Sequence, residues 1–136
     1  MTGKKILLVD DDPDIRDVMT IILESAGYSV SSASDGQECL DKLSKEKPDL
    51  LILDLLMPRV DGFAVYRKLQ DIEWSSYKDM PILIVTSVRE EASRRRYELE
   101  TGQTLNVNSY IEKPIAPESL VETVDKLIKE RKVANK

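Results

Sequence analysis

Residues 50–58 read LLILDLLMP, an apolar run broken once, by Asp54. Burying an unpaired carboxylate costs on the order of several kcal/mol, comparable with a domain's whole margin of stability. An acid in that setting either stands where a strand ends and emerges into a cleft, or faces a cation. The uninterrupted apolar character of the run is that of a strand covered on both faces, as in a parallel sheet flanked by helices.

Four further short runs have strand character: KILLV (5–9), YSVSSA (28–33), PILIV (81–85) and VNSYI (107–111). Helical patterns separate them. Ile15, Val18, Met19, Ile22, Leu23 and Ala26 form one apolar stripe, with Asp12 as N-cap, Pro13 at the first helical position and Gly27 as the stop. A second helix begins near Asp35, with Glu38 as a capping-box partner, and buries Leu40 and Leu43. A third starts at Asp61-Gly62, a turn and cap, and uses Phe63, Val65, Tyr66 and Leu69. Residues 88–100 are helix-prone with a thin stripe, and a last helix from Pro117 carries Leu120, Val121, Val124, Leu127 and Ile128. Alternating strands and helices predict an α/β fold: a doubly wound five-stranded parallel sheet, order 2-1-3-4-5, flavodoxin-like, with helices on both faces. Residues 1–131 are expected to form one domain and 132–136 a frayed tail, with no output domain.

The composition narrows the function. A net charge of −5 argues against general affinity for nucleic acid or anionic membrane, and Arg94, Arg95 and Arg96 read as a solvated helix face. Cys39, the single cysteine, excludes an internal disulfide, fits a cytoplasmic location and is read as a small core residue. No stretch reads as a membrane span or signal peptide. The chain has no histidine, which removes Ser-His-Asp and Cys-His catalysis, histidine-ligated zinc and any phosphohistidine carrier role.

Ligands of open parallel sheets bind beyond the carboxyl ends of the strands. Those ends carry Asp10, Asp11 and Asp12, then Asp54, then Thr86 and Ser87, then Lys113-Pro114. In the predicted order, strands one, three and four are neighbours, so carboxylates converge. Two bare charges ~4 Å apart repel by about 4 kcal/mol at an effective dielectric of 20. Such a cluster calls for a hard cation on oxygen ligands, Mg²⁺ before a Ca²⁺ cage, with Mn²⁺ as a substitute. A metal-held carboxylate beside a lysine and a hydroxyl suits phosphoryl transfer. Asp54 is then the attacking group, the ion and Lys113 neutralise the transferring oxygens, and Thr86 hydrogen-bonds one of them. Asp12 is read as a cap rather than a ligand.

The segments ILLVDDDP, LLILDLLMPRVDG, ILIVTS and YIEKP, in that order and spacing, resemble the four signature segments of the response-regulator receiver domain of two-component signalling. The resemblance covers essentially the whole chain. It implies Asp54 as phosphoacceptor, Asp11 as a direct metal ligand, Asp10 as a ligand through water, and the backbone carbonyl of Leu56 as third protein ligand. It also implies Thr86 as the switch hydroxyl, Tyr110 as the aromatic that turns inward on activation, and Lys113 on the phosphoryl group before a cis Pro114. The implied donor is a histidine kinase or histidine phosphotransfer protein. The implied output is contact with a downstream protein through the face of the fourth helix, fifth strand and last helix. The chain is then a phosphoacceptor that assists its own phosphorylation and slow dephosphorylation, not an enzyme. The segment YELETGQTLNVNSYI is longer than relatives have before the fifth strand. Leu56 and Val88 stand where the family tunes water access; both are apolar, so a long-lived phosphoryl state is expected. Trp74 is expected to cover the sheet edge.

Two rival readings are weaker. A Mg²⁺-dependent phosphohydrolase of the haloacid-dehalogenase type shares an aspartyl nucleophile. It wants Thr or Val where Asp14 stands, a second late acidic pair and a cap domain. A non-phosphorylated interaction module of the same fold leaves the complete acid and lysine set without a purpose.

Overall fold

A computed structural model describes residues 3–55, 61–71, 77, 79–86, 95, 96, 98, 99 and 109–134. The elements are β1 (Lys5–Val9), α1 (Pro13–Ser25), β2 (Ser29–Ala33), α2 (Gly36–Glu46), β3 (Leu50–Asp54), α3 (Gly62–Leu69), β4 (Ile82–Thr86), β5 (Ser109–Glu112) and α4 (Pro117–Ala134). The strands form one parallel sheet in the order β2-β1-β3-β4-β5, as the alternating pattern predicts. Of the helix-prone stretch 88–100, residues 95, 96, 98 and 99 are helical and the remainder lies outside the described residues. Trp74 lies outside them too.

The sheet divides the apolar residues into two cores, one on each face. Leu7, Val9, Leu51, Leu53, Ile82 and Ile84 pack with Cys39, Leu40 and Leu43 of α2 and Phe63, Val65, Tyr66 and Leu69 of α3. The alternate residues Ile6, Leu8, Leu50, Ile52, Leu83 and Val85 pack with Met19 and Leu23 of α1 and Leu120, Val124 and Leu127 of α4. This two-sided burial explains the unbroken apolar runs. It also holds the site: each buried Leu or Ile contributes about 1.5–3 kcal/mol, so the strand ends stand on a stiff platform. The Tyr28 hydroxyl donates to the Asp125 carboxylate and ties the start of β2 to α4. Burial, aided by that carboxylate, pushes the phenol's pKa up.

Local signals set the helix ends. Asp12 is extended and accepts from Asp14 N–H, with Pro13 following; Asp35 accepts from Glu38 N–H, and Asp61 from Ala64 N–H. The capping box of α2 differs from expectation at one bond. Glu38 Oε1 accepts from the backbone of Ser34 at 2.8 Å, one residue before the cap. Val18, placed in the stripe of α1 by its spacing, is 52% exposed. It sits at the margin of the stripe, and Met19 and Leu23 take the centre. The final helix runs to Ala134, into the stretch expected to fray.

Cys39 is a fully buried core residue. Burial pushes its thiol up to about 12, with the Asp35 and Glu38 charges adding to the effect. A thiol reagent is therefore expected to label the folded protein only at the rate at which it unfolds. Labelling in native buffer that stays fast when urea is varied below the unfolding transition would contradict this.

An acidic pocket at the carboxyl edge of the sheet

The chain turns out of β1 at Asp10, whose N–H donates to Ala33 O at 3.2 Å. Its Oδ1 accepts from Asp12 N–H at 2.9 Å, bending the loop into α1. Asp10 is fully buried, whereas Asp11 is exposed. In register, Val9 lies beside Leu53, Asp54 beside Val85 and Thr86 beside Glu112. The ends of β1, β3, β4 and β5 are therefore level. Asp54, the last residue of β3, is 1% exposed.

The carboxylates of Asp10, Asp11 and Asp54 converge, each offering an oxygen within 4.8 Å of the others. Lys113 reaches in from the end of β5, its Nζ 3.3 Å from Asp10 Oδ2 and 3.6 Å from Asp54 Oδ1. Strands lie about 4.8 Å apart, so β5 is two spacings from β3. Only a long side chain spans the end of β4 to reach Asp54. Asp10 Oδ2 and Asp54 Oδ1 are both buried, and both face the Lys113 ammonium at ion-pair distance. Burial raises the Asp10 carboxyl pKa, against the lowering effects of the Asp12 N–H and the Lys113 charge. Two buried acids thus share the Lys113 ammonium, and the exposed Asp11 carboxylate adds a third negative charge beside them. That donor set, all oxygen and anionic, fits a hard divalent cation of the Mg²⁺ class.

Of the other expected site residues, Thr86 closes β4 by its backbone, while its side chain and all of Leu56 lie outside the described residues. Tyr110 lies on β5 and is 36% exposed. The Lys113-Pro114 peptide is cis.

Two residues do more than their sequence context indicates. Gly62 reads as part of a turn and cap, yet its N–H donates to Leu55 O at 2.9 Å. A Cβ placed on it would lie 2.3 Å from Asp54 O and 2.7 Å from Leu55 Cα. The helix start is thus pressed against the backbone of Asp54. Arg16 Nη1 donates to the Asp10 carbonyl at 2.7 Å. Neither role has a local sequence signal; the nearest is a glycine directly after a cap residue.

A doubly wound sheet with a buried aspartate, an acidic loop and a lysine at its carboxyl edge defines the class of aspartate-bearing signalling domains. The model of the response regulator receiver domain matches residues 6–125, and the chain belongs to that family, a component of two-component signalling. It is 39% identical over 128 residues to the response regulator MprA of Mycobacterium avium, a match covering 94% of this chain and 52% of that protein. The chain thus spans about half the length of this curated relative. Among solved structures, chemotaxis protein CheY4 of Vibrio cholerae is 31% identical with a TM-score of 0.74, over 93% of this chain and 99% of that one. A CheY-like receiver domain protein from Methanospirillum hungatei is 27% identical with a TM-score of 0.78, over 98% and 99% of the two chains. Among the described residues no helix is long and apolar enough to cross a membrane.

Proposed function

We propose that this chain is a phosphorylation switch in which Asp54 takes a phosphoryl group from a phosphohistidine of a partner histidine kinase or phosphotransfer protein. The observation that carries this reading is the buried Asp54 carboxylate set within ion-pair distance of Lys113 and beside the Asp10 and Asp11 acids. An Asp54 carboxylate oxygen attacks phosphorus and the N–P bond of the donor breaks. The imidazole leaves with the electron pair and is reprotonated by solvent, and an acyl phosphate forms on Asp54. Lys113 neutralises a transferring oxygen and orients the group. Asp11, Asp54 and the Leu56 carbonyl would hold Mg²⁺, with Asp10 acting through water. When bound, that ion supplies charge neutralisation of the phosphoryl oxygens.

The Thr86 hydroxyl then accepts the role of hydrogen-bonding a phosphoryl oxygen, and Tyr110, exposed on β5, follows it inward. The face comprising the helix-prone segment, β5 and α4 carries the change to a downstream protein in the cytoplasm. A few kcal/mol of differential stabilisation between the two states is enough for such a switch. Residues 1–131 would act as the receiver unit, a phosphoacceptor rather than an enzyme acting on other substrates.

Incubation with acetyl phosphate and Mg²⁺ is expected to add one phosphoryl mass, located on the peptide holding Asp54, and chelation of the metal is expected to prevent it. No uptake, or uptake at another residue, would reject the proposal. Because Leu56 and Val88 are apolar and cannot orient an attacking water, the phosphoryl group is expected to be long-lived without a phosphatase. Rapid loss from the purified protein with Mg²⁺ present would contradict that part.

A further inference from the structure

We infer that Arg16 is a positioning residue for the divalent-ion site: by holding the Asp10 carbonyl it fixes the plane of the Asp10–Asp11 peptide and so aims the Asp11 carboxylate. The inference rests on the metal-assisted reading above. Helical side chains lean toward the helix N-terminus. Arg16, in the first turns of α1, therefore reaches back over the cap, and its Nη1 meets Asp10 O at 2.7 Å while its own N–H donates to Asp12 O at 3.0 Å.

The rest of the loop is secured at other atoms. Asp10 N–H is held by Ala33 O, Asp10 Oδ1 by Asp12 N–H, and Asp12 Oδ1 by Asp14 N–H. The carbonyl of Asp10 is the group that sets the rotation of the peptide leading into Asp11. Asp11 is exposed, so packing does little to aim it. A guanidinium suits the task because it stays protonated and offers a rigid fork of donors.

The role makes a prediction opposite in sign to the plain Coulomb effect. A positive charge near an acidic pocket weakens cation binding, so its removal alone would tighten the site. Loss of aim would loosen it. Arg16→Met keeps the aliphatic stem and drops the donor, whereas Arg16→Lys keeps a donor and the charge. Mn²⁺ titration followed by electron paramagnetic resonance is the readout, with folding checked by circular dichroism and Arg16→Ala as a second donor-free variant.

Arg16→Met is expected to weaken Mn²⁺ binding about tenfold, as loss of an outer partner of a metal ligand does, and Arg16→Lys to recover most of it. Arg16→Met binding as tightly as the parent or tighter would overturn the inference and leave the metal site intact. A parent protein that binds no Mn²⁺ would remove the metal-assisted reading and the role of Arg16 together.

Discussion

Asp54→Asn is expected to abolish phosphoryl uptake and, in metal-free protein, to raise stability by about 1–2 kcal/mol, in the range of gains from relieving a functional site. Both effects have one origin. Asp54 and Asp10 are each essentially out of contact with water and share the Lys113 ammonium, with the exposed Asp11 carboxylate close by. An amide of the same shape removes one buried negative charge and lacks the nucleophilic oxygen. Lys113 retains Asp10 at 3.3 Å, so no ammonium is left stranded. The folded-state pKa of Asp10 is raised, so its burial penalty is absent below the ordinary carboxylate range. The penalty appears as pH rises through the raised value. The repulsion that Asp54→Asn relieves should therefore grow as pH rises through the raised Asp10 value, and the gain with it. Urea unfolding with excess chelator, paired with mass analysis after acetyl phosphate, reads both effects. A variant that takes up phosphate like the parent would refute the assignment of the nucleophile. One that is less stable than the parent would refute the charge argument.

Gly62→Ala is expected to destabilise the protein by about 3 kcal/mol, the upper end of ordinary overpacking, seen as a fall of roughly 10 °C in Tm. The new methyl would lie 2.3 Å from Asp54 O and 2.7 Å from Leu55 Cα, and both obstacles are backbone. No side chain can swing aside. The start of α3 would have to back away from the end of β3, and the Gly62 N–H to Leu55 O bond would lengthen with it. Because the new methyl presses on the peptide that carries Asp54, phosphoryl uptake is expected to slow by at least about tenfold, as small misplacements of reacting groups do. Thermal melting and the rate of uptake from acetyl phosphate are the measurements. A variant with parent-like Tm and rate would show that the two backbones can separate freely.

These residues also mark what a one-dimensional reading can reach. The convergence of Asp10, Asp11, Asp54 and Lys113 is legible because each follows an apolar strand run, and the sheet order brings those ends together. The helix caps at Asp12, Asp35 and Asp61 are legible because capping is local. The close approach of Gly62 to Asp54, eight positions earlier, depends on how α3 docks on the sheet, and periodicity carries no measure of that distance. Arg16 has the same character: its spacing places it on α1, but only the path of the loop brings the Asp10 carbonyl within its reach. Val18 shows the converse. Its spacing fits the apolar stripe, yet α1 rests on the sheet through Met19 and Leu23 and leaves Val18 outside.

The site's counter-charge hangs from the rim of the sheet. β5 is four residues long and, among the described residues, pairs with β4 alone, and Lys113 is the next residue but one after Ile111. Outer strands with a single neighbour open at lower free energy than the interior. Each excursion of that rim withdraws the ammonium and leaves the acids facing one another. Competence for phosphoryl transfer should therefore melt from the outside in, at a temperature below that of the two cores.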